Sequence, residues 1–241
     1  MVVTAVILVS WNSVPAEIST LTDNSGYHIC QVTNSSVPIP VPKSVDLGLS
    51  VEWASFNLGS SKPEEYGLYY QWGKTKGYSS DTSDGKWFSY YDLGGNVCYE
   101  LNKYSTNPNF CPVDNKIILE PEDDAATVAL GHKWRMPTNE EWEELRNSDN
   151  CSWTWTTING VKGYKVQSKK PGYTDNWIFL PAAGFRFSDN LNNFGTEGYY
   201  WSSYVDPEWL DVPYQVWFDS SNIYCSEWSR CAGLTIRPVS E

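Results

Sequence analysis

The side chains best suited to chemistry in this sequence are aromatic and polar residues near the C-terminus, between residues 204 and 232. Exposed tryptophan and tyrosine supply large contact area at low entropic cost, so their presence here is typical of a binding surface. Val216, Phe218 and Ile223 occupy apolar strand positions that should point inward. The candidate ligand-binding residues lie on the other strand face or in turns: Tyr204, Gln215, Trp217, Ser221, Tyr224, Ser226, Glu227, Trp228 and Cys231. The alternative for these aromatic residues is packing against residues 74–116, which have the composition of long loops.

Catalytic and metal-binding residues are scarce. The chain has two histidines, His28 and His132, which argues against most imidazole catalysis and most imidazole metal sites. The carboxylates lack the spacing of an EF-hand, and we interpret them as surface charges rather than as a calcium site. The sequence has no catalytic triad, phosphate-binding loop or zinc signature. We therefore predict a protein that is not an enzyme and that uses no metal and no cofactor.

The six cysteines leave two interpretations open. They carry no CxxC pair and stand at Cys30, Cys98, Cys111, Cys151, Cys225 and Cys231. Buried free thiols are one interpretation, and one or two disulfides are the other. Cys225 and Cys231 are close enough in sequence to bridge adjacent strands or a turn.

Charge and hydropathy exclude other classes of protein. Asp and Glu number 29 against 17 Lys and Arg, which gives a net charge of -12. A generic nucleic-acid binder needs the opposite sign, and an anionic membrane surface would repel this chain. No apolar run approaches the ~20 residues of a membrane-spanning helix. The sequence therefore predicts a globular protein without a nucleic-acid partner and without membrane insertion.

Two helices are predicted ahead of the candidate face. The first starts near Pro121, where proline and three following carboxylates suit the positive end of a helix, and it stops at Gly131. The second begins with a capping box in which Thr138 is the N-cap and Glu141 stands three residues on.

Short aromatic strands follow the second helix, and the Asn159-Gly160 pair predicts a hairpin turn between two of them. Arg135 and Arg237 stand beside apolar neighbours, and we expect each to bind loop carbonyls or a carboxylate. The fold class is therefore α+β, with two helices, a small, mostly antiparallel sheet and a high loop content. The predicted strands cover residues 152–156, 163–167, 176–181, 198–203, 214–218, 221–224 and 234–239.

Residues 1–43 differ in texture from the rest of the chain. Strand-like stretches at 2–9 and 27–32 are followed by alternating prolines at 37–42, which favour an extended linker. A short signal peptide would also explain the first stretch, but it lacks a basic start, so a strand is favoured. We predict an N-terminal β-rich arm over 1–43 and a single domain over 44–241.

An ordered set of motifs covers most of residues 45–239: VDLGLSVEWASFNLG (45–59), EEYGLYYQWG (64–73), LEPEDDAATVALGHKWRMPTNEEWEEL (119–145), SWTWTTINGVKGYKV (152–166), IFLPAAGFRF (178–187), GYYWSS (198–203) and GLTIRPV (233–239). In these motifs the chain resembles the Fibrobacter/Bacteroidetes major paralogous domain family. That family has a C-type-lectin-like fold akin to formylglycine-generating-enzyme domains. The tryptophans inside the motifs are expected in the core: Trp53, Trp72, Trp134, Trp142 and Trp201.

The resemblance implies a twisted sheet preceded by two helices, with the last strands supporting a ligand-facing surface. Similar domains are the displayed variable proteins of diversity-generating retroelements in gut bacteria, such as Bacteroides, and in their phages. It therefore implies a recognition protein on a phage tail or an extracellular bacterial surface. Its partner would be a protein or glycan on a target surface, bound through the candidate face. The arm over 1–43 would serve attachment or homo-oligomerisation.

Two other functions stay open. The first is a secreted bacterial surface paralogue with an adhesive or structural role. The second is a copper or cysteine oxidoreductase that uses Cys225 and Cys231, by analogy with the formylglycine-generating relatives. A codon argument weighs against simple diversification, because adenine-directed change of AAY codons cannot yield Trp, Glu or Gln. Gln215, Trp217 and Trp228 would therefore need other template codons, as would Glu227.

Overall fold

A computed structural model describes residues 17–22, 28–33, 39–81, 103–106, 113–187, 190–206 and 212–241. The chain divides into two compact units, residues 1–38 and residues 39–241. In the first unit the described residues form an antiparallel hairpin of β1 (Glu17–Thr22) and β2 (His28–Thr33). β2 overlaps the strand predicted at 27–32, whereas the strand predicted at 2–9 lies outside the described residues. Among the described residues no helix is long and apolar enough to span a membrane.

The second unit starts at Ile39, within the predicted linker. Ile39 packs against buried side chains of the core, and Pro42 is buried. Lys43 accepts a backbone hydrogen bond from Ser55 N at 2.8 Å and donates to Ser55 Oγ at 3.1 Å. The last residues before the predicted boundary near Lys43 are thus part of the second unit.

The described part of the second unit is mixed α+β, as predicted, but it has several small antiparallel sheets in place of one. A four-stranded sheet, in the order β3-β4-β14-β5, joins β3 (Ser44–Val45), β4 (Glu52–Ala54), β5 (Trp134–Arg135) and β14 (Val239–Ser240). A three-stranded sheet joins β6 (Cys151–Ile158), β7 (Val161–Ser168) and β8 (Trp177–Pro181). A two-stranded sheet joins β9 (Phe185–Phe187) and β10 (Asn190–Asn192). The last three-stranded sheet joins β11 (Gly198–Asp206), β12 (Val212–Phe218) and β13 (Ile223–Glu227).

The predicted hairpin turn is confirmed at Asn159-Gly160, which connects β6 to β7. Both residues have positive φ, 49° and 85°, as a two-residue turn matched to the strand twist requires. The strand predicted over 234–239 is reduced to β14 and to isolated bridges at Leu234 and Thr235.

Both predicted helices are present, and the first starts later than expected. α1 (Ala125–Leu130) begins after Asp124, whose Oδ1 accepts hydrogen bonds from the backbone N–H groups of Ala126 and Thr127. Asp124 is therefore the N-cap, and residues 121–123 form a turn ahead of it. α2 (Asn139–Arg146) carries the capping box predicted from the sequence.

The core consists of two main clusters of buried side chains. The first packs α2 against the sheet β6–β7–β8 and against one face of β11–β12. The second packs α1 against the other face of β11–β12 and includes Trp72. All five tryptophans predicted for the core are buried: Trp53, Trp72, Trp134, Trp142 and Trp201.

Arg237 is fully buried between these elements, with 0% of its surface exposed. Its Nη1 donates to Ala54 O at 2.9 Å, its Nη2 to Phe179 O at 2.6 Å, and its Nε to Asn57 Oδ1 at 2.9 Å. Burial lowers the pKa of Arg237 to about 10, so the guanidinium is still charged at neutral pH. Arg135 instead binds a carboxylate, with both Nη atoms bonded to Glu141. The expectation for both arginines is confirmed.

Replacing Arg237 with methionine should destabilise the second unit strongly. Arg237→Met keeps much of the side-chain volume but leaves three buried acceptors without donors, so the free energy of unfolding should fall by about 3–5 kcal/mol. Urea unfolding measures the change. The control is Lys162→Met, at an exposed lysine of β7, which should change the same quantity by less than about 0.5 kcal/mol. Equal effects of the two substitutions would contradict the role given to Arg237.

Candidate functional site

The register of the sheet β11–β12–β13 brings three large aromatic residues side by side. Tyr199 of β11 is directly opposite Trp217 of β12, and Trp217 is directly opposite Tyr224 of β13. Directly opposed residues of antiparallel strands project from the same face and contact one another. The three side chains therefore form a row across the sheet.

Tyr224 is the most exposed of the three. Its ring lies parallel to that of Trp217, with an interplanar angle of 7° and a centroid distance of 5.6 Å. Tyr224 keeps 52% of its surface exposed, whereas Trp217 is half-buried against the second core cluster. One large aromatic side chain is thus presented to solvent on a packed aromatic base.

Glu197, the residue before β11, fixes the orientation of this row. Trp217 Nε1 donates a 2.6 Å hydrogen bond to Glu197 Oε2, and Tyr199 Oη donates to the same oxygen. Two donors on one carboxylate oxygen set the orientation of both rings. Burial and this hydrogen bond raise the pKa of Tyr199 well above its usual value, so its hydroxyl stays a donor.

Trp228 and Phe185 extend the row past Tyr199. The Trp228 ring lies 5.5 Å from Phe185 and 5.8 Å from Tyr199, and Phe185 lies 4.8 Å from Tyr199. These contacts are continuous, because Tyr199 borders Trp217 across the sheet. We call the surface formed by Phe185, Tyr199, Trp217, Tyr224 and Trp228 the aromatic face.

Four of the predicted ligand-binding residues lie on or beside the aromatic face. Trp217, Tyr224 and Trp228 belong to it. Ser221 lies in the exposed turn before β13, where its backbone N–H donates to Asp219 Oδ1 at 2.7 Å. The alternative was that these aromatic residues pack against residues 74–116, most of which lie outside the described residues. Neither Trp217 nor Trp228 makes a ring contact with the described residues of that stretch.

Gln215 and Cys231 differ from the expectation. Gln215 is 1% exposed and Cys231 is 6% exposed, so neither side chain reaches a ligand at the surface. Gln215 Nε2 donates to Ser226 Oγ at 2.9 Å, which ties Ser226 to the interior as well. The sequence showed polar residues at positions 215 and 226, but polarity did not indicate exposure, because Gln215 Nε2 has its hydrogen-bond partner on the next strand, at Ser226.

Tyr204 and Glu227 are also separated from the aromatic face. Glu227 is opposite Tyr214 in the register, and Tyr214 alternates with Gln215 along β12, so Glu227 shares the sheet face of Val216. The ring of Tyr204 lies 5.7 Å from that of Tyr214, after an irregularity in β11 between Trp201 and Val205. The inward positions predicted for Val216, Phe218 and Ile223 agree with the structure, in which all three contact the first core cluster.

The candidate residues named from the sequence do not include Glu197 or Tyr199. Their spacing of two places both on one strand face with Trp201, but it does not indicate that either side chain contacts Trp217. Phe185 gives no such signal, since its contact with Trp228 joins residues 43 positions apart in the chain.

The described cysteines are free thiols. Cys151, Cys225 and Cys231 form no disulfide, so the bridge considered between Cys225 and Cys231 is not made. Cys225 packs against the first core cluster, and burial raises its pKa to about 12, with a contribution from Glu143. Cys231 Sγ instead lies 3.0 Å from Ser229 Oγ. The other three cysteines have side chains outside the described residues.

Within the described part of the chain, one group of carboxylates is close enough together to hold a cation: Glu120, Glu122 and Asp123. Lys103 Nζ already binds all three, at 3.0, 3.3 and 2.9 Å respectively. These hydrogen bonds raise the pKa of Lys103 well above its usual value. The lysine ammonium thus supplies the positive charge that the cluster needs.

A small cavity of about 150 Å³ lies at the start of α1, lined in part by Asp124, Arg135, Thr138 and Ser203. Its charged groups are engaged within the fold. Asp124 caps α1 and accepts from Met136 N at 2.8 Å, and Arg135 is paired with Glu141. The charged side chains that line the cavity are therefore already bonded within the chain and leave few polar groups to bind a ligand.

The thiols of Cys151, which is buried, and of Cys225, which is partly buried, should resist alkylation in the folded protein. Burial raises the pKa of Cys151 to about 11 and that of Cys225 to about 12. At pH 8, therefore, about one thiol group in a thousand or fewer is ionised to the reactive thiolate. Peptide mass spectrometry after iodoacetamide treatment should find both unmodified in native protein and modified in urea. Native modification of Cys225 as fast as in urea would contradict the burial and revive thiol chemistry.

Comparison with known proteins adds no relative, since no protein-family model, no curated protein and no solved structure matches the chain. A functional proposal therefore rests on the residues themselves.

Proposed function

We propose that the chain is a non-enzymatic recognition protein that binds a partner on a target surface through the aromatic face. The observation that carries the proposal is Tyr224, a half-exposed ring stacked on Trp217. Binding energy at protein surfaces concentrates in a few tryptophan, tyrosine and arginine side chains. A tyrosine with one face against solvent and the other on a fixed indole has the features of such an anchor.

The support beneath Tyr224 favours binding because it is already ordered. Trp217 is held by Glu197 through Nε1, and Tyr199 is held by the same carboxylate. Fixing side chains before association lowers the entropic cost that a complex must overcome. The interior of the aromatic face thus stabilises the one ring that protrudes from it.

The fold we propose for the second unit is C-type-lectin-like, on the strength of the motif resemblance. Two short helices precede the sheets β6–β8 and β11–β13, in the order the resemblance implies. The last motif, residues 233–239, supports the aromatic face: Thr235 bonds to Tyr199 O through both its N–H, at 3.2 Å, and its Oγ1, at 2.8 Å. This support is what a ligand-facing surface near the C-terminus would need.

Display on a phage tail or on a bacterial surface is part of the same proposal, with residues 1–43 as the attachment or oligomerisation arm. The separate compact unit over residues 1–38 supports an arm. Sequencing the flanking DNA tests diversification by a retroelement. A reverse-transcriptase gene and a near-copy of the segment encoding residues 201–239 are expected there. A net charge of -12 disfavours nucleic acid as the partner.

Truncating Tyr224 should abolish most of the binding without unfolding the protein. Tyr224→Ala should weaken affinity about 30-fold, while the free energy of unfolding falls by no more than about 1 kcal/mol. The whole chain is screened against a glycan array and a displayed random peptide library, and the affinity of each ligand found is then measured. Trp217 and Trp228 are poorer choices for substitution, because both pack against the core.

Trp177→Ala provides the matched control. Trp177 is also a partly exposed aromatic residue, 38% exposed, but it lies on β8 with Lys165 Nζ 5.1 Å from its ring. We expect this variant to keep the wild-type ligands and affinities. The proposal is wrong if Tyr224→Ala binds every ligand as tightly as wild type, or if wild type binds nothing in either screen.

A further inference from the structure

The stretch that supplies most of the aromatic face is acidic throughout. Residues 187–229 contain no Lys, Arg or His, and they contain seven carboxylates: Asp189, Glu197, Asp206, Glu208, Asp211, Asp219 and Glu227. Such a one-sided charge distribution creates a negative potential that attracts cations and repels anions. The charge of this stretch therefore bears on which partners can approach the face.

The arginines near this stretch are bonded within the fold. Arg186 is fully buried and donates to Ser79 O at 2.8 Å. Arg230 is buried too, with its guanidinium 5.0 Å from the Trp72 ring centroid and bonded to Tyr104 O at 2.6 Å. Arg146 approaches β13 through Ile223 O but pairs with Glu143. Each of the three guanidinium groups thus already has a partner within the chain.

Glu197 is the carboxylate that bonds to the indole on which the exposed ring is stacked. Its Oε2 accepts from two neutral donors, Trp217 and Tyr199. Among the residues that the structure describes, none forms an ion pair with Glu197, while all seven ion pairs found involve other carboxylates. Glu197 and Tyr224 both contact the Trp217 indole, so a negative charge and an exposed π-face share one neighbouring side chain.

From this arrangement we infer that the partner of the aromatic face is a basic protein segment, which sets an arginine or lysine side chain against Tyr224 and Glu197. This inference rests on the proposed function and adds the chemical class of the ligand. A cation is attracted to the face of an aromatic ring and to a carboxylate at once. Arginine suits the site better than lysine, because its planar guanidinium can stack on a ring while it pairs with an acid.

A neutral glycan fits the same observations less well. Sugars stack on flat aromatic platforms, yet the inner rings here meet at steep angles, 61° for Phe185 with Tyr199 and 75° for Phe185 with Trp228. A neutral ligand also draws nothing from the seven carboxylates of this stretch. A sialylated or phosphorylated ligand would be repelled by them.

Peptide selection on the immobilised whole chain tests the inference. A displayed random peptide library is selected on wild type and counter-selected on Tyr224→Ala. We expect the retained peptides to be enriched in Arg and Lys over the starting library. The affinity of a synthetic copy of one such peptide should fall several-fold between about 0.05 and 0.3 M NaCl, since charge pairs at a surface are screened. This salt dependence needs no variant.

Glu197→Gln is the decisive variant, because glutamine keeps the shape and an acceptor oxygen but removes the charge. It should weaken binding of the same peptide about tenfold, mainly by faster dissociation. Glu227→Gln is the matched control, as it removes an equal charge from the opposite sheet face. It should change the affinity by no more than about twofold.

The outcomes separate this inference from the proposed function. Retained peptides that are neutral or acidic overturn the cationic partner but leave the aromatic face as a binding site. Glycans that bind wild type and not Tyr224→Ala, with no peptide retained, do the same. Equal effects of Glu197→Gln and Glu227→Gln overturn the pairing with Glu197. Ligands that bind wild type and Tyr224→Ala equally well overturn both proposals.

Discussion

The charged side chain of Arg237 lies in the interior, and two separate stretches of chain, residues 54–57 and β8, supply its three acceptors. A buried charge is costly unless its hydrogen bonds are complete, so Ala54, Asn57 and Phe179 must stay where they are. Asn57 in turn donates through Nδ2 to Tyr200 Oη at 3.2 Å, which links the guanidinium to β11. The positions of β4, β8 and β11 thus depend on one buried cation.

Residues 233–235, just before Arg237, connect it to the aromatic face. Gly233 exchanges backbone hydrogen bonds with Arg186 of β9, Leu234 with Tyr70, and Thr235 bonds to Tyr199 of β11. β9 carries Phe185 and β11 carries Tyr199, so both inner members of the face rest on this segment. β12 and β13 then add Trp217 and Tyr224 by antiparallel pairing. The strands that carry the aromatic face are consequently positioned by contacts between residues that are distant in sequence.

Local signals in the sequence predicted local structure well. The capping box at Thr138 and the Asn159-Gly160 turn need only neighbouring residues, and both are present. The α+β class followed from patterning, and the burial of the motif tryptophans was expected from the family resemblance. The start of α1 was misplaced because Pro121 and the carboxylates after it resemble a first turn, whereas Asp124 is the residue whose oxygen reaches the free N–H groups.

The candidate site was predictable only in part, because it depends on register and on distant contacts. Trp217 and Tyr224 were identified from composition, but Glu227 was placed on the wrong strand face since its partner, Tyr214, is set by the pairing of β12 with β13. The burial of Gln215 reflects a partner on the next strand, Ser226. The role of Glu197 depends on the Trp217 indole, 20 residues away, and no local pattern indicates that meeting.

The aromatic face is preformed on a fixed scaffold, and amide hydrogen exchange of the unliganded chain measures this. Exchange is followed by mass spectrometry for peptides that cover β12 and β13 and compared with those that cover β11. We expect slow exchange in all three strands, because the ladder and the Glu197 contacts hold them together. Exchange of β12 and β13 at the rate of an unstructured peptide, with β11 still protected, would contradict it.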